Sequence, residues 1–257
     1  METQQTRPMS FEDWTHYFKA RKNRFSHVDW SRKDPLTDQE RRWISASLPI
    51  FQKGETSEGL HFKRKAVRDG TPEYSEALHH FIAEEQTHGS VLARFLKSNG
   101  IPLISSHWSD QIFRSVRKPF SLGHTIRILV YAELLAFPYY RTLAKISSHP
   151  TLVKLCDQIL QDEEGHIRFQ TQALQAFGKK RDGAWDLIYT GLYTVFFVAT
   201  TTALYLGHRE VFTRGGVSYL SLLNEALGRF AQIESWRRLA EVSPNTHQGL
   251  LRFPHVV

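Results

Sequence analysis

The sequence predicts an all-α protein in which long helices pack as a bundle. Apolar side chains recur at steps of three, four and seven residues through most of the chain, whereas the alternating pattern of strands is scarce. Two helix starts carry capping chemistry: Thr37-Asp38-Gln39-Glu40 has capping-box spacing, and Thr71-Pro72 places a proline in a first turn. With 257 residues, the chain can bury a core without disulfides.

Composition excludes several classes of protein. With 41% hydrophobic and 23% charged residues, the chain is neither disordered nor fibrous. Cys156 is the single cysteine, so an intrachain disulfide and a cysteine-based zinc or iron–sulfur site are excluded. This usage fits a reducing compartment, and residues 1–30 contain no apolar signal segment. We therefore expect a cytoplasmic protein.

The net charge of +7 is distributed over separate clusters. The densest are Arg21-Lys22, Lys63-Arg64-Lys65 and Lys179-Lys180-Arg181, and none of them dominates the chain. This pattern predicts a solvated basic surface and no nucleic-acid partner. A weak affinity for anionic lipid is left open.

We predict a single domain, residues 1–257, with three parts. Residues 1–36 form an aromatic N-terminal arm with a short helix, residues 37–178 a four-helix bundle, and residues 184–241 additional C-terminal helices. In chain order, the predicted bundle helices occupy residues 37–70, 71–97, 121–147 and 150–177. The connection over residues 100–120 is long for a compact domain and predicts a crossover along the bundle.

One segment, Leu187–Gly207, has the length of a membrane span and contains no charged side chain. It also carries several threonines, tyrosines and glycines, and no second segment of this kind exists in the sequence. We predict a buried or groove-lining helix beside the bundle, with membrane association as the alternative.

Two Glu-x-x-His motifs indicate metal chemistry. They are Glu85-Gln86-Thr87-His88 and Glu163-Glu164-Gly165-His166. Side chains three apart on a helix lie on the same face, so the carboxylate and the imidazole of each motif can reach one metal ion. A single motif of this kind is usually solvated, and only the repetition makes the pair informative.

Spacing links each motif to a carboxylate on the preceding predicted helix. The interval from Glu55 to Glu85 equals the interval from Glu133 to Glu163. The equal intervals indicate two copies of one helix–turn–helix unit, and hence an internal two-fold repeat.

Predicted burial supports a metal site. Glu133 lies in the run ILVYAELLAFPYY, which contains no other charge, so its carboxylate must be paired, protonated or bound to metal. The alternative is a set of buried Glu–His and Glu–Lys pairs without metal. It would leave four glutamates for two histidines, with no lysine or arginine predicted to be buried beside them.

These residues resemble the ferritin-like di-iron carboxylate superfamily, whose bundles supply one glutamate from each of two helices and a Glu-x-x-His motif from each of the other two. The resemblance covers residues 37–178. Within it, Gly54-Glu55-Thr56-Ser57 followed by Phe62 is similar to the first-helix signature of rubrerythrins and aldehyde-deformylating oxygenases. The fold it implies is a ferritin-like four-helix bundle with an internal two-fold repeat and additional N- and C-terminal helices.

The resemblance implies two iron ions, with manganese as the alternative, each bound by one histidine. Glu85 and Glu163 would bridge the ions, and Glu55 and Glu133 would each cap one. Glu58, one turn beyond Glu55, competes with it as a ligand or lies just behind the ligands. The side chains expected to support the ligands are Asp162, Glu84, Gln170 and Tyr140.

The resemblance also implies a reaction class. We expect a non-haem di-iron oxidase or oxygenase that activates O2 to oxidise a small, partly apolar organic substrate, with electrons from an external donor or reductase. The helix over Leu187–Gly207 could wall an apolar channel for that substrate. The alternatives are a ferroxidase or iron-binding protein, a manganese catalase and a structural bundle. A homodimer is left open.

Overall fold

A computed structural model describes residues 9–31, 34–56, 59–117, 120–179 and 183–239. Within these ranges the chain is helical and contains no strand, so the all-α prediction is confirmed. In chain order, the helices of the described part are α1 Phe11–Ala20, α2 Asp38–Glu55, α3 Leu60–Asp69, α4 Pro72–Ser98, α5 Trp108–Arg117, α6 Leu122–Ile146, α7 Pro150–Phe177, α8 Gly183–Gly207, α9 Arg209–Arg214 and α10 Tyr219–Leu239.

The bundle helices begin where the capping patterns predict. The Thr37 side chain accepts from the Glu40 backbone N–H, and the Glu40 carboxylate accepts from the Thr37 backbone N–H, which completes a capping box for α2. Thr71 caps α4 through the N–H of Tyr74, with Pro72 at the first helical position. These caps fix where the two helices enter the bundle.

The first bundle helix is broken, and the prediction of one helix over residues 37–70 is wrong. α2 ends at Glu55 and α3 begins at Leu60. Gly59, just before α3, has a φ of 63°, a left-handed conformation that favours glycine. A Cβ at Gly59 would lie 2.7 Å from Cδ1 of Ile82, so the turn also passes close to α4. The turn places Glu55 at a helix end.

Two elements outside the bundle differ from the sequence expectation. The connection after α4 contains the helix α5, which the pattern did not predict. α8 covers the uncharged segment as predicted, but only Phe197 and Thr201 of this helix are buried, so of the two predicted alternatives, a buried helix or a groove-lining helix, the structure does not support the first. α8 packs mainly on α10, and among the described residues it is the one helix long and apolar enough to cross a membrane.

The apolar core is divided into two clusters along the bundle. The first cluster contains buried residues of α4 up to Ile82 and of α7 from Ile167 onward. The second contains buried residues of α4 from Leu92 onward and of α7 up to Ile159. Both Glu-x-x-His motifs fall in the gap between these bounds. The bundle therefore carries a polar layer between two apolar cores, and this layer contains the candidate site.

Candidate metal centre

Four helices supply the predicted site residues to the polar layer. Glu55 is the last residue of α2, Glu133 lies on α6, and each Glu-x-x-His motif lies within one long helix, α4 or α7. The two motif histidines and Glu163 are fully buried, Glu55 and Glu133 are buried, and Glu85 is half-buried. A backbone inside long helices holds most of these side chains at fixed positions.

The two motifs converge on one point. Ligand atoms of Glu85, His88, Glu163 and His166 all lie within 4.8 Å of one another. Nδ1 of His88 is 3.8 Å from Oε1 of Glu163, and Nδ1 of His166 is 2.6 Å from Oε1 of Glu85. The Nδ1 atom of each histidine therefore faces the centre together with carboxylate oxygens from both motifs.

The outer nitrogen of each histidine is bound by a carboxylate of the other motif helix. Nε2 of His88 donates to Oδ2 of Asp162 at 3.2 Å, and Nε2 of His166 donates to Oε2 of Glu84 at 3.4 Å. Because an ionised carboxylate can only accept, these bonds keep the proton on Nε2 and leave the Nδ1 lone pair directed inward. Metal-binding histidines are oriented in this way.

Arg21 joins these two supporting carboxylates. Its Nη2 donates to Oδ1 of Asp162 at 2.5 Å, and its Nε lies 3.4 Å from Oε1 of Glu84. Gln158 adds a further bond to Oδ1 of Asp162 at 3.0 Å. Burial raises the pKa of Asp162, but its bond to His88 and the positive charges of His88, His166 and, after them, Arg21 outweigh burial and hold this pKa below its usual value. A residue after α1 thus helps to keep Asp162 ionised beside the histidine.

The two capping glutamates meet the motif glutamates in equivalent pairs. Glu55 lies beside Glu85 and accepts a hydrogen bond of 2.6 Å from the Tyr140 hydroxyl, while Glu133 lies beside Glu163. These are the pairs that the repeated interval in the sequence predicts. Tyr140, which the sequence predicted as a supporting side chain near Glu133, therefore supports Glu55 instead.

The glutamates crowd one another when no cation lies between them. Burial, followed by the negative charge of Glu85, raises the pKa of Glu55 to about 8. Burial and the charge of Glu85 likewise raise the pKa of Glu163 to about 7, and burial with the charge of Glu163 raises the pKa of Glu133 well above its usual range. Cations bound among these carboxylates would favour the ionised forms again.

The donor set fits a pair of metal ions. Five buried atoms at the centre have no hydrogen-bond partner: Oε1 of Glu85, both carboxylate oxygens of Glu163, and Nδ1 of His88 and of His166. Nδ1 of His166 and Oε1 of Glu85, 2.6 Å apart, form an ion pair while the ring is protonated and become two inward-facing acceptors when the ring is neutral. Buried polar atoms nearly always have a partner, so orphaned acceptors that face one point match the coordination of metal. Carboxylate and imidazole ligands without thiolate suit iron or manganese.

The structure thus brings together all six residues predicted as ligands, namely Glu55, Glu85, His88, Glu133, Glu163 and His166. Their binding of metal stays a prediction. Glu58, the alternative to Glu55, lies outside the described residues. Of the predicted supporting acceptors, Asp162 and Glu84 bind the histidines, whereas Gln170 has neither side-chain atom hydrogen-bonded to a described residue.

Two residues of the basic clusters predicted to be solvated, Arg21 and Lys65, have specific buried or partly buried contacts instead. Arg21 is bound at the centre, and no local pattern marks it because Asp162 is 141 residues away. Lys65 is buried, with its Nζ donating to the Arg117 carbonyl and to the Thr125 hydroxyl. Lys65 is therefore held inside the fold by hydrogen bonds. In the same run, Lys63 is half-exposed and Arg64 is exposed.

A cavity of about 590 Å³ leads to the centre. Its wall includes the carboxylate residues Glu55, Glu85 and Glu133, and most of the remaining wall is apolar. The predicted role of the uncharged helix as a cavity wall is confirmed, because α8 contributes Thr200, Ala203, Leu204 and Gly207. The volume lies in the range of small-molecule sites.

The sequence model of the rubrerythrin family matches residues 54–174, the span that contains all six predicted ligands. Solved structures of an R2-like ligand-binding oxidase with a Mn/Fe cofactor are also similar. Two single-residue variants of that protein, both with an anaerobically reconstituted cofactor, align with a TM-score of 0.63 and 16% identity over 89% of this chain and 93% of theirs. No curated protein matches the sequence.

The bundle, its Glu/His cluster and these matches confirm the resemblance to the ferritin-like superfamily. The described part of the chain has the fold of a ferritin-like helical bundle, and residues 54–174 resemble the rubrerythrin family. Its cluster can bind a pair of metal ions, with iron and manganese as the candidates.

Proposed function

We propose that the protein is a di-metal oxidase that uses O2 to oxidise a small, partly apolar organic substrate. The observation that carries this proposal is the cavity, whose apolar wall ends on three of the predicted ligands, Glu55, Glu85 and Glu133. The similar R2-like structures are oxidases that carry Mn/Fe, which supports the same reaction class. An iron or manganese pair, when bound, supplies the redox chemistry with O2.

The residues of the chain would prepare the centre for that chemistry. Asp162 and Glu84 hold the two histidine rings in the orientation that presents Nδ1 to the centre, so neither ring needs to flip. Tyr140 restrains Glu55, which stands at a helix end and faces the cavity. The apolar wall, including Phe62 and Leu129, would exclude water from a bound substrate.

The size of the cavity favours an organic substrate over the smaller alternatives. A ferroxidase or a catalase acts on Fe(II) or on peroxide, and neither needs an apolar space of about 590 Å³ beside the metals. Electrons beyond those of the substrate would come from a separate donor, because the chain's single cysteine cannot build an iron–sulfur relay.

The proposal is tested by filling the cavity without disturbing the ligands. Gly54 lines the cavity, and a Cβ there meets nothing within 4 Å, so Gly54→Leu fills space at little steric cost. Gly228→Leu is the matched control, because Gly228 is an exposed helical glycine whose Cβ also meets nothing within 4 Å. The measurement is O2 uptake by Fe(II)-loaded protein with a panel of apolar alcohols, aldehydes and amines.

An oxidase should lose substrate-dependent O2 uptake by about tenfold or more in Gly54→Leu, with metal content unchanged and with Gly228→Leu like the parent. O2 uptake that instead scales with added Fe(II), leaves a ferric mineral and ignores Gly54→Leu would show a ferroxidase.

A further inference from the structure

The mouth of the cavity is surrounded by exposed apolar side chains from three helices. Leu60 of α3 is 51% exposed and Trp108 of α5 is 56% exposed, and both line the cavity. Ala203 and Gly207 of α8 line it as well and are also exposed. The opening thus lies in a mainly apolar surface, although exposed His61 and Arg64 of α3 also line the cavity. An exposed apolar surface is unusual where it faces only water.

The same surface continues along the outer side of α8. Exposed residues recur at steps of three or four from Ala203 back towards the start of the helix, so they lie on one face with the mouth. They include Val195, 70% exposed, and Leu192, 61% exposed. No charged residue interrupts the face between Leu187 and Gly207. We refer to α3, α5 and this side of α8 as the mouth face.

Cations flank the apolar part of the mouth face. α3 carries exposed Arg64 and Arg68 and half-exposed Lys63, and its only carboxylate, Asp69, is bound by Arg68 at 2.7 Å. Exposed Arg209 follows shortly after α8. An apolar face bordered by cations matches the boundary between acyl chains and anionic headgroups in a membrane.

We propose that the mouth face docks on the surface of an anionic lipid bilayer, with α8 lying along the membrane plane. The inner side of α8 packs on α10 and walls the cavity, so its outer side is the part available to lipid. The cavity would then open towards the acyl chains. Docking itself does not depend on the oxidase proposal, whereas entry of an apolar substrate from the bilayer rests on it.

Charge favours lipid over a second copy of the chain. In a two-fold symmetric dimer the same patch faces itself, which would bring the Arg64 and Lys63 side chains of two copies together around the interface. Like charges repel in that arrangement, whereas lipid phosphates would bind the same cations.

The test is flotation of the metal-loaded protein with vesicles of phosphatidylcholine alone and of an equal mixture of phosphatidylcholine and phosphatidylglycerol. We expect binding to the mixed vesicles that weakens as salt is added. Val195→Asp and Arg64→Glu should each reduce the bound fraction by about fivefold or more, because one removes apolar contact and the other reverses a charge. The matched control is Lys22→Glu, an exposed cation outside the mouth face.

Three results would overturn the proposal. The first is that the parent protein binds neither type of vesicle. The second is that Lys22→Glu reduces vesicle binding as much as Arg64→Glu does. The third is that the protein binds no vesicles and sedimentation velocity shows a dimer that Val195→Asp dissociates. Circular dichroism and metal content of each variant identify any loss of fold. Because no O2 uptake is measured, failure of docking is distinct from failure of the oxidase proposal.

Discussion

Asp162 of α7 binds the His88 ring of α4, with 3.2 Å between Oδ2 and Nε2. Glu84 of α4 repeats this relationship for His166 of α7 at 3.4 Å. In each motif, the residue before the glutamate therefore orients the histidine of the other motif. The two halves of the repeat are joined through these crossed bonds, and Arg21 connects the two carboxylates.

Asp162→Asn should weaken metal binding by about ten- to a hundredfold, because the amide is a poorer acceptor for Nε2 of His88 and carries no charge. Competition with a chelator of known affinity measures this loss for Fe(II) and Mn(II). Asp157→Asn, an exposed carboxylate on the same helix, is the control and should bind metal like the parent. Equal affinity in both variants would contradict the orienting role of Asp162.

Arg21→Leu should lower the free energy of unfolding of the metal-free protein by about 2 kcal/mol, because it removes charge-assisted hydrogen bonds and leaves Asp162 and Glu84 without their shared cation. Urea titration measures the change. Lys22→Leu, at the exposed neighbouring position, should change stability by no more than about 0.5 kcal/mol. A neutral Arg21→Leu would mean that the network does not stabilise the fold.

Gly59→Ala should destabilise the protein by about 1–3 kcal/mol, since an alanine is strained at a φ of 63° and its Cβ would lie 2.7 Å from Ile82. Gly54→Ala, earlier in the chain and inside α2, is the control because its Cβ meets nothing within 4 Å. The unfolding temperatures of the two variants are compared. Because only Gly59→Ala introduces backbone strain and a close contact, the comparison separates this strain from the general effect of replacing a glycine by alanine. Unchanged stability of Gly59→Ala would show that the turn after Glu55 relaxes freely.

His208 should make stability depend on pH. Burial lowers the pKa of His208 to about 4, so the folded protein keeps this ring neutral while the unfolded chain takes up a proton near its ordinary pKa of 6.5. The neutral His208 ring therefore contributes fully to the free energy of unfolding above pH 6.5. This contribution, about 3 kcal/mol in total, is lost as the pH falls from 6.5 towards 4.

The measurement is the difference in unfolding free energy between the parent and His208→Gln at several pH values. That difference should change between pH 6.5 and 4. A flat difference for His208→Gln would contradict a buried neutral ring.

Sequence patterns predicted the centre because its main residues obey local rules. The two Glu-x-x-His motifs, and the equal intervals that relate them to Glu55 and Glu133, define positions on four helices, and helix geometry then brings them together. Arg21 escaped prediction because its partner Asp162 is distant in the chain, so no periodicity relates the two.

The errors in the fold have similar physical origins. The break before Gly59 was hidden because Phe62 continues the apolar spacing of α2 on the far side of the turn. The exposure of α8 could not be predicted either, because hydropathy reports how apolar a helix is and not which surface covers it. Only the packing of α8 on α10 shows which side remains exposed.

The most direct test of the di-metal centre is the number of iron or manganese ions held per chain after anaerobic loading and desalting, measured by elemental analysis. We predict two ions per chain, about 3.5–4 Å apart by X-ray absorption, and their loss in Glu163→Ala but not in the neighbouring Glu164→Gln. Parent protein that retains no metal would show that the cluster is a set of Glu–His pairs, and would contradict a di-metal centre.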